Sequence, residues 1–141
     1  MGEPLQVFVY GTLKPGERSF EDYCKPHLVA HQAALTPGRI YHLPMGYPAL
    51  TLEDGWVKGV LMTFASSAVF ERMDILEDYY PDRPQESEYW RIRHPVYTPD
   101  QVPLTEAWVY AMAQEKVRGL GGQWLPEGYW TGQAYSALKE V

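Results

Sequence analysis

The chain has 141 residues, 45% of them hydrophobic, which suits one domain with a real core and is too apolar for a disordered protein. Its formal charge of −6 argues against a nucleic-acid-binding surface and gives no attraction to anionic membranes. The single cysteine, Cys24, excludes an intrachain disulfide, and no apolar run reaches the about 18 residues of a membrane-spanning helix. With no signal-peptide pattern at its start, we expect a cytoplasmic protein with one domain over residues 1–141.

The first third of the chain predicts short strands separated by turns. Residues 7–10 are an apolar run typical of a buried strand, and residues 19–24 can form one or two helical turns. Residues 33–43 hold two strand candidates separated by Pro37-Gly38. Prolines then predict a loop over residues 43–48, because proline cannot continue a ladder of backbone hydrogen bonds.

The middle of the chain predicts further strands and the main helix. Asp54-Gly55 is a hairpin turn signal in front of a strand over residues 56–64. An apolar stripe at helical spacing predicts a helix over residues 68–79. Alternating apolar and polar residues predict two later strands, over residues 89–97 and 104–112.

A glycine-rich stretch at residues 119–122 leads into three aromatic residues, Trp124, Tyr129 and Trp130, which we expect to pack over the core. Strands dominate the pattern and do not alternate regularly with helices. The sequence therefore predicts an α+β fold, built as a small mixed barrel or a strongly bent sheet with about six strands and one main helix.

The turn after the first strand is a candidate binding site. Gly11 follows the apolar strand end at Tyr10, and glycine lets a backbone turn sharply and approach a ligand. The successive N–H groups of Gly11, Thr12 and Leu13 can then hold a carboxylate or an oxyanion. The same residues also fit an ordinary turn at the end of a strand.

Glu77 is a candidate proton acceptor. It continues the apolar stripe of Phe70 and Met73 at positions i, i+3 and i+7, which places a carboxylate on the inward face of the helix. A buried carboxylate is costly unless it is paired or used, and burial raises its pKa. The alternative is a carboxylate at the helix end that reaches into water. Asp74, one turn earlier, can raise the pKa of Glu77 further, although we expect its side chain to face solvent.

Other catalytic constellations find little support in the sequence. His27 and His31 stand at i and i+4, but the glutamate of a zinc-binding HExxH helix is missing, so we predict no metal. No Gly-x-Ser-x-Gly elbow exists, which argues against a serine nucleophile.

Several stretches together resemble the gamma-glutamylcyclotransferase-like family. Residues 7–16, with the sequence VFVYGTLKPG, are similar to the family's N-terminal signature, and residues 46–50 to its second loop. Residues 73–79 are similar to its Leu-Asp-x-x-Glu helix end, with methionine in place of the usual leucine at position 73. The pair Tyr89 and Arg91 and the later strand at residues 107–110 follow in the same order.

This resemblance implies a mixed barrel of six or seven strands with flanking helices. It also implies that a γ-glutamyl group is cyclised to 5-oxoproline, releasing an amine or amino acid, without a cofactor. The resemblance also implies that Glu77 is the general acid and base of this reaction. The turn that holds the glutamyl part of the substrate consists of Tyr10, Gly11, Thr12 and Leu13.

Tyr89 can orient the substrate carboxylate through its phenol, although it also fits an ordinary half-buried strand tyrosine. A long segment over residues 81–88 precedes it and leaves the identity of the γ-glutamyl substrate open. A second function also stays open, that of a non-catalytic small-molecule binding module on the same fold. An open, wet Glu77 would favour that alternative.

Overall fold

The computed structural model describes residues 5–17, 20, 24–65, 67–77, 79–80, 82–83 and 87–132. The strands are β1 (Leu5–Val9), β2 (Leu28–His42), β3 (Pro48–Phe64), β4 (Trp90–Tyr97), β5 (Pro103–Ala111) and β6 (Gln123–Trp124). The α-helices with both ends in these ranges are α1 (Phe70–Leu76) and α2 (Gln114–Gly119), and 3₁₀ turns lie at Lys25–His27 and Ser67–Val69. None of the helices in these ranges has the length and apolar character that a membrane-spanning helix needs.

The six strands form one mixed sheet in the order β3-β1-β5-β4-β2-β6. β1 lies antiparallel to β3, with Val7 opposite Met62, and parallel to β5, with Val7 opposite Trp108. β2 also pairs with β3, so five of the strands form a ring around the core. The predicted α+β class is confirmed.

β1 is buried on both faces, because it lies between two parts of the core. Val7 and Val9 pack with Met73 and its neighbours on one face. Phe8 and Tyr10 pack on the other face, in a cluster that includes the fully buried Trp130. Successive side chains of a strand point to opposite faces, so one short strand contributes to both clusters and fixes the position of the turn that follows it.

The predicted strand over residues 7–10 and the two later strands are confirmed as β1, β4 and β5. The predicted loop over residues 43–48 is confirmed as far as residue 47, because Pro48 already belongs to β3 and lies opposite His42. The expected packing of the late aromatic residues holds for Trp130 but is wrong for Trp124 and Tyr129, which are about half exposed. The predicted helical turns over residues 19–24 fall mostly outside the described residues.

The hairpin turn expected at Asp54-Gly55 is wrong, because β3 runs through these residues without a break. β2 likewise continues through Pro37-Gly38 instead of splitting into two strands. The glycines mark an irregular stretch of the β2–β3 pair, where Pro37 lies opposite Trp56 but Arg39 lies opposite Thr51. Gly38 and Gly55 both have positive φ angles there (147° and 130°). They therefore permit a bulge inside a long hairpin.

The main helix is shorter than predicted. Residues 67–69 form a 3₁₀ turn, and α1 ends at Leu76 rather than near residue 79. Glu77 is the residue that follows its last turn, and its N–H still donates to the carbonyl of Met73 (2.9 Å). The shorter helix leaves Glu77 at the helix end, beside the first strand's turn.

Gly59 offers a test of how tightly β1 and β3 pack. A Cβ atom at this position would lie 2.6 Å from Cζ of Phe8 and would also clash with the carbonyl oxygen of Val9. Gly59→Ala should therefore lower the free energy of unfolding by about 2 kcal/mol, as overpacked core substitutions do. Urea unfolding measures this value.

Gly119→Ala is the matched control, since a Cβ atom there meets nothing within 4 Å. This substitution should leave the free energy of unfolding unchanged or raise it slightly, because alanine has a higher helix propensity than glycine. Equal stability of the two variants would contradict the packing described for β1 and β3.

Candidate active site

The turn that follows β1 consists of residues 10–13 and is called the first turn below. The Lys14 N–H donates to the Gly11 carbonyl (3.1 Å) and closes it. A Cβ atom on Gly11 would lie 2.6 Å from Cγ of Pro48, so glycine alone lets the backbone come this close. The N–H groups of Gly11, Thr12 and Leu13 donate to no residue in the described part of the chain. The first turn thus offers a row of unused donors.

Glu77 contributes a carboxyl group with unusual surroundings. The carboxyl makes no hydrogen bond or ion pair with the residues that the structure describes. Its pKa is raised from the ordinary 4.5 to about 8, first by burial and then by the negative charges of Glu88 and Asp74. The residue as a whole is half-buried, and its carboxyl borders the cavity described next.

A cavity of about 240 Å³ connects the first turn with the end of α1. It is lined by all the residues that the sequence singled out: Tyr10, Gly11, Thr12, Leu13, Glu77 and Tyr89. The other lining residues are Phe8, Val9, Tyr47, Pro48, Leu76, Glu88 and Tyr110. A carboxyl group without a partner and a row of backbone donors therefore share one hollow, while the chemical roles of these residues stay a prediction.

Two buried tyrosines form the walls of the cavity. The Tyr10 hydroxyl donates to the carbonyl of Tyr110 (2.5 Å) and accepts from the N–H of Leu50 (3.3 Å). The Tyr89 hydroxyl donates to the carbonyl of Pro48 (2.6 Å). Burial is the main reason that the pKa of each phenol is raised, so both stay neutral. The Tyr89 hydroxyl already donates its proton to Pro48, so Tyr89 lines the cavity without a free donor for a ligand.

The expectation that Asp74 faces solvent is wrong. Its Oδ1 accepts a hydrogen bond from the Tyr110 hydroxyl (2.6 Å) and lies 3.6 Å from Nε of Arg91. The Arg91 guanidinium in turn lies 3.7 Å from the centre of the Phe70 ring. α1 places Asp74 one turn before Glu77, so the two carboxylates are close enough for one charge to act on the other. Asp74 itself is engaged by its two partners.

Glu88 and Tyr47 are cavity residues that the sequence reasoning missed. The Tyr47 hydroxyl donates to Oε1 of Glu88 (2.7 Å), although the two residues lie 41 positions apart in the chain. Glu88 belongs to a polar loop without periodicity, so only its position next to Tyr89 could have drawn attention to it. Among the described residues, no three His, Cys, Asp or Glu side chains lie together as a metal site would require.

Comparison with known families gives a match that covers most of the chain. The sequence model of the family described as gamma-glutamyl cyclotransferase, AIG2-like, matches residues 7–132. A curated relative, the gamma-L-glutamyl-butirosin B gamma-glutamyl cyclotransferase of Niallia circulans, is 35% identical over 74 residues. That match covers 52% of this chain and 46% of the relative, so the chain matches about half of the relative's length.

Solved structures share the fold. An AIG2-like protein from Mus musculus has a TM-score of 0.69 at 19% identity, over 92% of this chain and 89% of that one. YkqA from Bacillus subtilis has a TM-score of 0.65 at 18% identity, over 91% of this chain but only 40% of its own length. At these identities the likeness concerns the fold.

The raised pKa of Glu77 makes a prediction about stability. Because the folded pKa of about 8 exceeds the ordinary 4.5, the folded state holds the proton more tightly than the unfolded state does. The free energy of unfolding therefore falls as the pH rises from about 4.5 to about 8. Glu77→Gln removes this loss. The free energy of unfolding of the variant should therefore exceed that of the wild type by on the order of 3 kcal/mol at about pH 9 and by little at about pH 5.

Urea unfolding at the two pH values measures the difference. Glu71→Gln on the exposed face of α1 is the control and should follow the wild type at both. A Glu77→Gln difference that does not change with pH would contradict the burial of this carboxyl group.

Proposed function

The chain belongs to the AIG2-like gamma-glutamyl cyclotransferase family, and on that basis we propose that it converts a γ-glutamyl amine, amide or peptide to 5-oxoproline and a free amine or amino acid. We assign the general acid and base role to Glu77 and the binding of the glutamyl part to the first turn. No cofactor takes part in the proposed reaction. The observation that carries the proposal is one cavity shared by the Glu77 carboxyl and a row of backbone N–H groups, none of which bonds to a residue that the structure describes.

The first step is the attack of the substrate's own α-amine on its γ-carbonyl carbon. Nucleophile and carbonyl belong to one molecule, so the enzyme has to hold the glutamyl chain in a folded shape with the reacting atoms in contact. Only the neutral amine has a lone pair to donate. Glu77 in its ionised form removes the proton that the nitrogen loses as the new C–N bond forms.

The second step is the collapse of the tetrahedral intermediate. Its negatively charged oxygen needs hydrogen-bond donors that are already in place, and the N–H groups of Gly11, Thr12 and Leu13 can supply them. The bond from the γ-carbon to the leaving nitrogen then breaks. Glu77 returns its proton to that nitrogen, so the released amine is neutral and the carboxylate is restored.

The pKa of Glu77 suits both halves of this cycle. A pKa of about 8 lies close to neutral pH, where a single group can accept and return a proton with little penalty in either direction. The withdrawal of the carboxyl from water supports this role over the alternative of a non-catalytic binding module, which would leave Glu77 open and wet. A binding module also has no need of an unpartnered base.

The proposed function is tested with a panel of γ-glutamyl amines, amides and dipeptides. We expect release of 5-oxoproline, detected by chromatography, from at least one class of these compounds. Compounds that raise the melting temperature without any product, over the whole panel, would overturn the cyclotransferase proposal and favour the binding module.

Glu77→Gln tests the acid and base role. The amide cannot take up a proton, so kcat/KM should fall by about 10²–10⁴-fold, the usual contribution of a general base. The wild type should show kcat/KM rising with pH through about 8, since both Glu77 and the substrate's α-ammonium must lose a proton before the reaction can start. Steady-state rates between about pH 6 and pH 10 measure both effects.

Glu71→Gln serves again as the control and should keep wild-type rates at every pH. Undiminished turnover in Glu77→Gln would remove this residue from the mechanism.

A further inference from the structure

The cavity carries a second carboxylate, Glu88, that the proposed mechanism does not use. Its Oε1 accepts a hydrogen bond from the Tyr47 hydroxyl (2.7 Å), which fixes the position of the carboxylate. Its Oε2 has no hydrogen bond or ion pair with any described residue. Glu88 and Tyr47 are both half-buried, whereas Leu13 and Tyr89 are buried. Glu88 is therefore a half-buried lining residue that has one oxygen left for a ligand.

The charged side chains that line the cavity, among the residues that the structure describes, are all acidic. Glu77 and Glu88 both line it, and no Lys, Arg or His does in the part of the chain that the structure describes. Lys116 is the basic group next to this wall, and its Nζ donates to the backbone carbonyls of Ser87 (3.3 Å) and Glu88 (3.1 Å). It lies outside the lining, so the carboxylate of Glu88 keeps its charge toward the cavity.

Two further cations on neighbouring elements are also engaged away from the cavity. Lys14 follows the first turn, but its Nζ donates to the carbonyl of Trp130 and lies 3.9 Å from the centre of the Tyr129 ring. Arg91 follows Tyr89, but its side chain lies against Asp74 and the Phe70 ring. Neither cation is among the residues that line the cavity.

We propose that Glu88, held by Tyr47, selects γ-glutamyl compounds whose leaving group carries a positive charge, such as an alkylammonium a few bonds from the amide that is cleaved. This inference rests on the proposed function, since it concerns the same cavity. A volume of about 240 Å³ is below the about 300–1,000 Å³ of pockets that enclose a drug-sized ligand. The cavity thus suits the glutamyl part, and in this proposal the leaving group extends from it along Glu88.

The ammonium that Glu88 binds is on the leaving group rather than on the glutamyl α-carbon. In the reaction the α-nitrogen must lose its charge before it attacks, and a carboxylate partner would stabilise the charged form and slow that step. A cation on the leaving group takes no part in the bond changes. The α-nitrogen forms its bond to the γ-carbon, the amide C–N bond breaks, and the departing amine takes the proton from Glu77 and keeps its distant ammonium.

Three γ-glutamyl amides of matched length provide the test, with 5-aminopentyl, hexyl and 5-carboxypentyl leaving groups. Release of 5-oxoproline is measured for the wild type, Glu88→Gln and the control Glu106→Gln, whose side chain is exposed on β5. Removal of the Glu88 charge also lowers the pKa of Glu77, so the rates are compared at about pH 9, where Glu77 is ionised in every protein.

The wild type and Glu106→Gln should favour the ammonium compound over the hexyl compound by about 10-fold in kcat/KM, and the carboxylate compound should be slowest. Glu88→Gln should bring the three values within about 2-fold of each other. Higher salt should weaken the wild-type preference, because salt screens a partly exposed charge pair. Equal rates for the three amides in the wild type would overturn the inference, and so would a Glu88→Gln variant that slows all three by the same factor.

Calorimetric binding of the same amides to Glu77→Gln separates this inference from the proposed function. Tighter binding of the ammonium compound without 5-oxoproline release from the wild type would overturn the cyclisation proposal and support the charge preference. Release of 5-oxoproline without a charge preference would overturn only the role of Glu88. Binding of none of the three would overturn both.

Discussion

The withdrawal of one carboxyl group from water is the constraint on which the candidate site depends. A shift in the pKa of Glu77 from 4.5 to about 8 corresponds to several kcal/mol of unfavourable desolvation and repulsion when the group is ionised. That cost is large beside the about 5–15 kcal/mol by which typical domains are stable. Asp74 and Glu88 add to it, and no described cation relieves it at the Glu77 carboxyl itself. Ionisable groups whose pKa is strongly shifted in the folded protein are concentrated at functional sites.

The fold supports this arrangement through contacts around β1 and Pro48. β1 is packed on both faces, so the first turn starts from a rigid point. The Pro48 ring lies against the space where a Gly11 side chain would be, and the Pro48 carbonyl accepts the Tyr89 hydroxyl. β1, β3 and the segment before β4 therefore meet at one residue. The cavity owes its shape to these strand ends, and α1 contributes Leu76 to its lining, with Glu77 directly after the helix.

The local pattern of apolar residues was enough to predict those elements whose residues repeat with the period of a strand or a helix. The first strand, the two later strands and the stripe of Phe70 and Met73 follow directly from it. Pattern failed at Asp54-Gly55, because glycines that permit a bulge inside a long hairpin look the same in sequence as glycines that make a turn. It also placed the end of α1 too late, since the helix ends at Leu76 rather than at residue 79.

The candidate site was predicted only where its residues lie in recognisable stretches of sequence. The first turn and Glu77 belong to such stretches, and the structure places them around one cavity. Partners that meet only in the folded chain were beyond reach. Tyr110 engages Asp74 across 36 residues, and Tyr47 engages Glu88 across 41. These contacts occupy one oxygen of Asp74 and one oxygen of Glu88. No local periodicity of the sequence could have predicted them.

The most direct test of the central claim is a titration of the Glu77 carboxyl group itself. Carbon-13 NMR of the protein labelled at glutamate side chains follows each carboxyl with pH, and the resonance missing from Glu77→Gln identifies the one in question. The buried, unpartnered carboxyl described above should titrate at about 8. A Glu77 resonance that titrates at about 4.5, together with the exposed glutamates, would contradict the account.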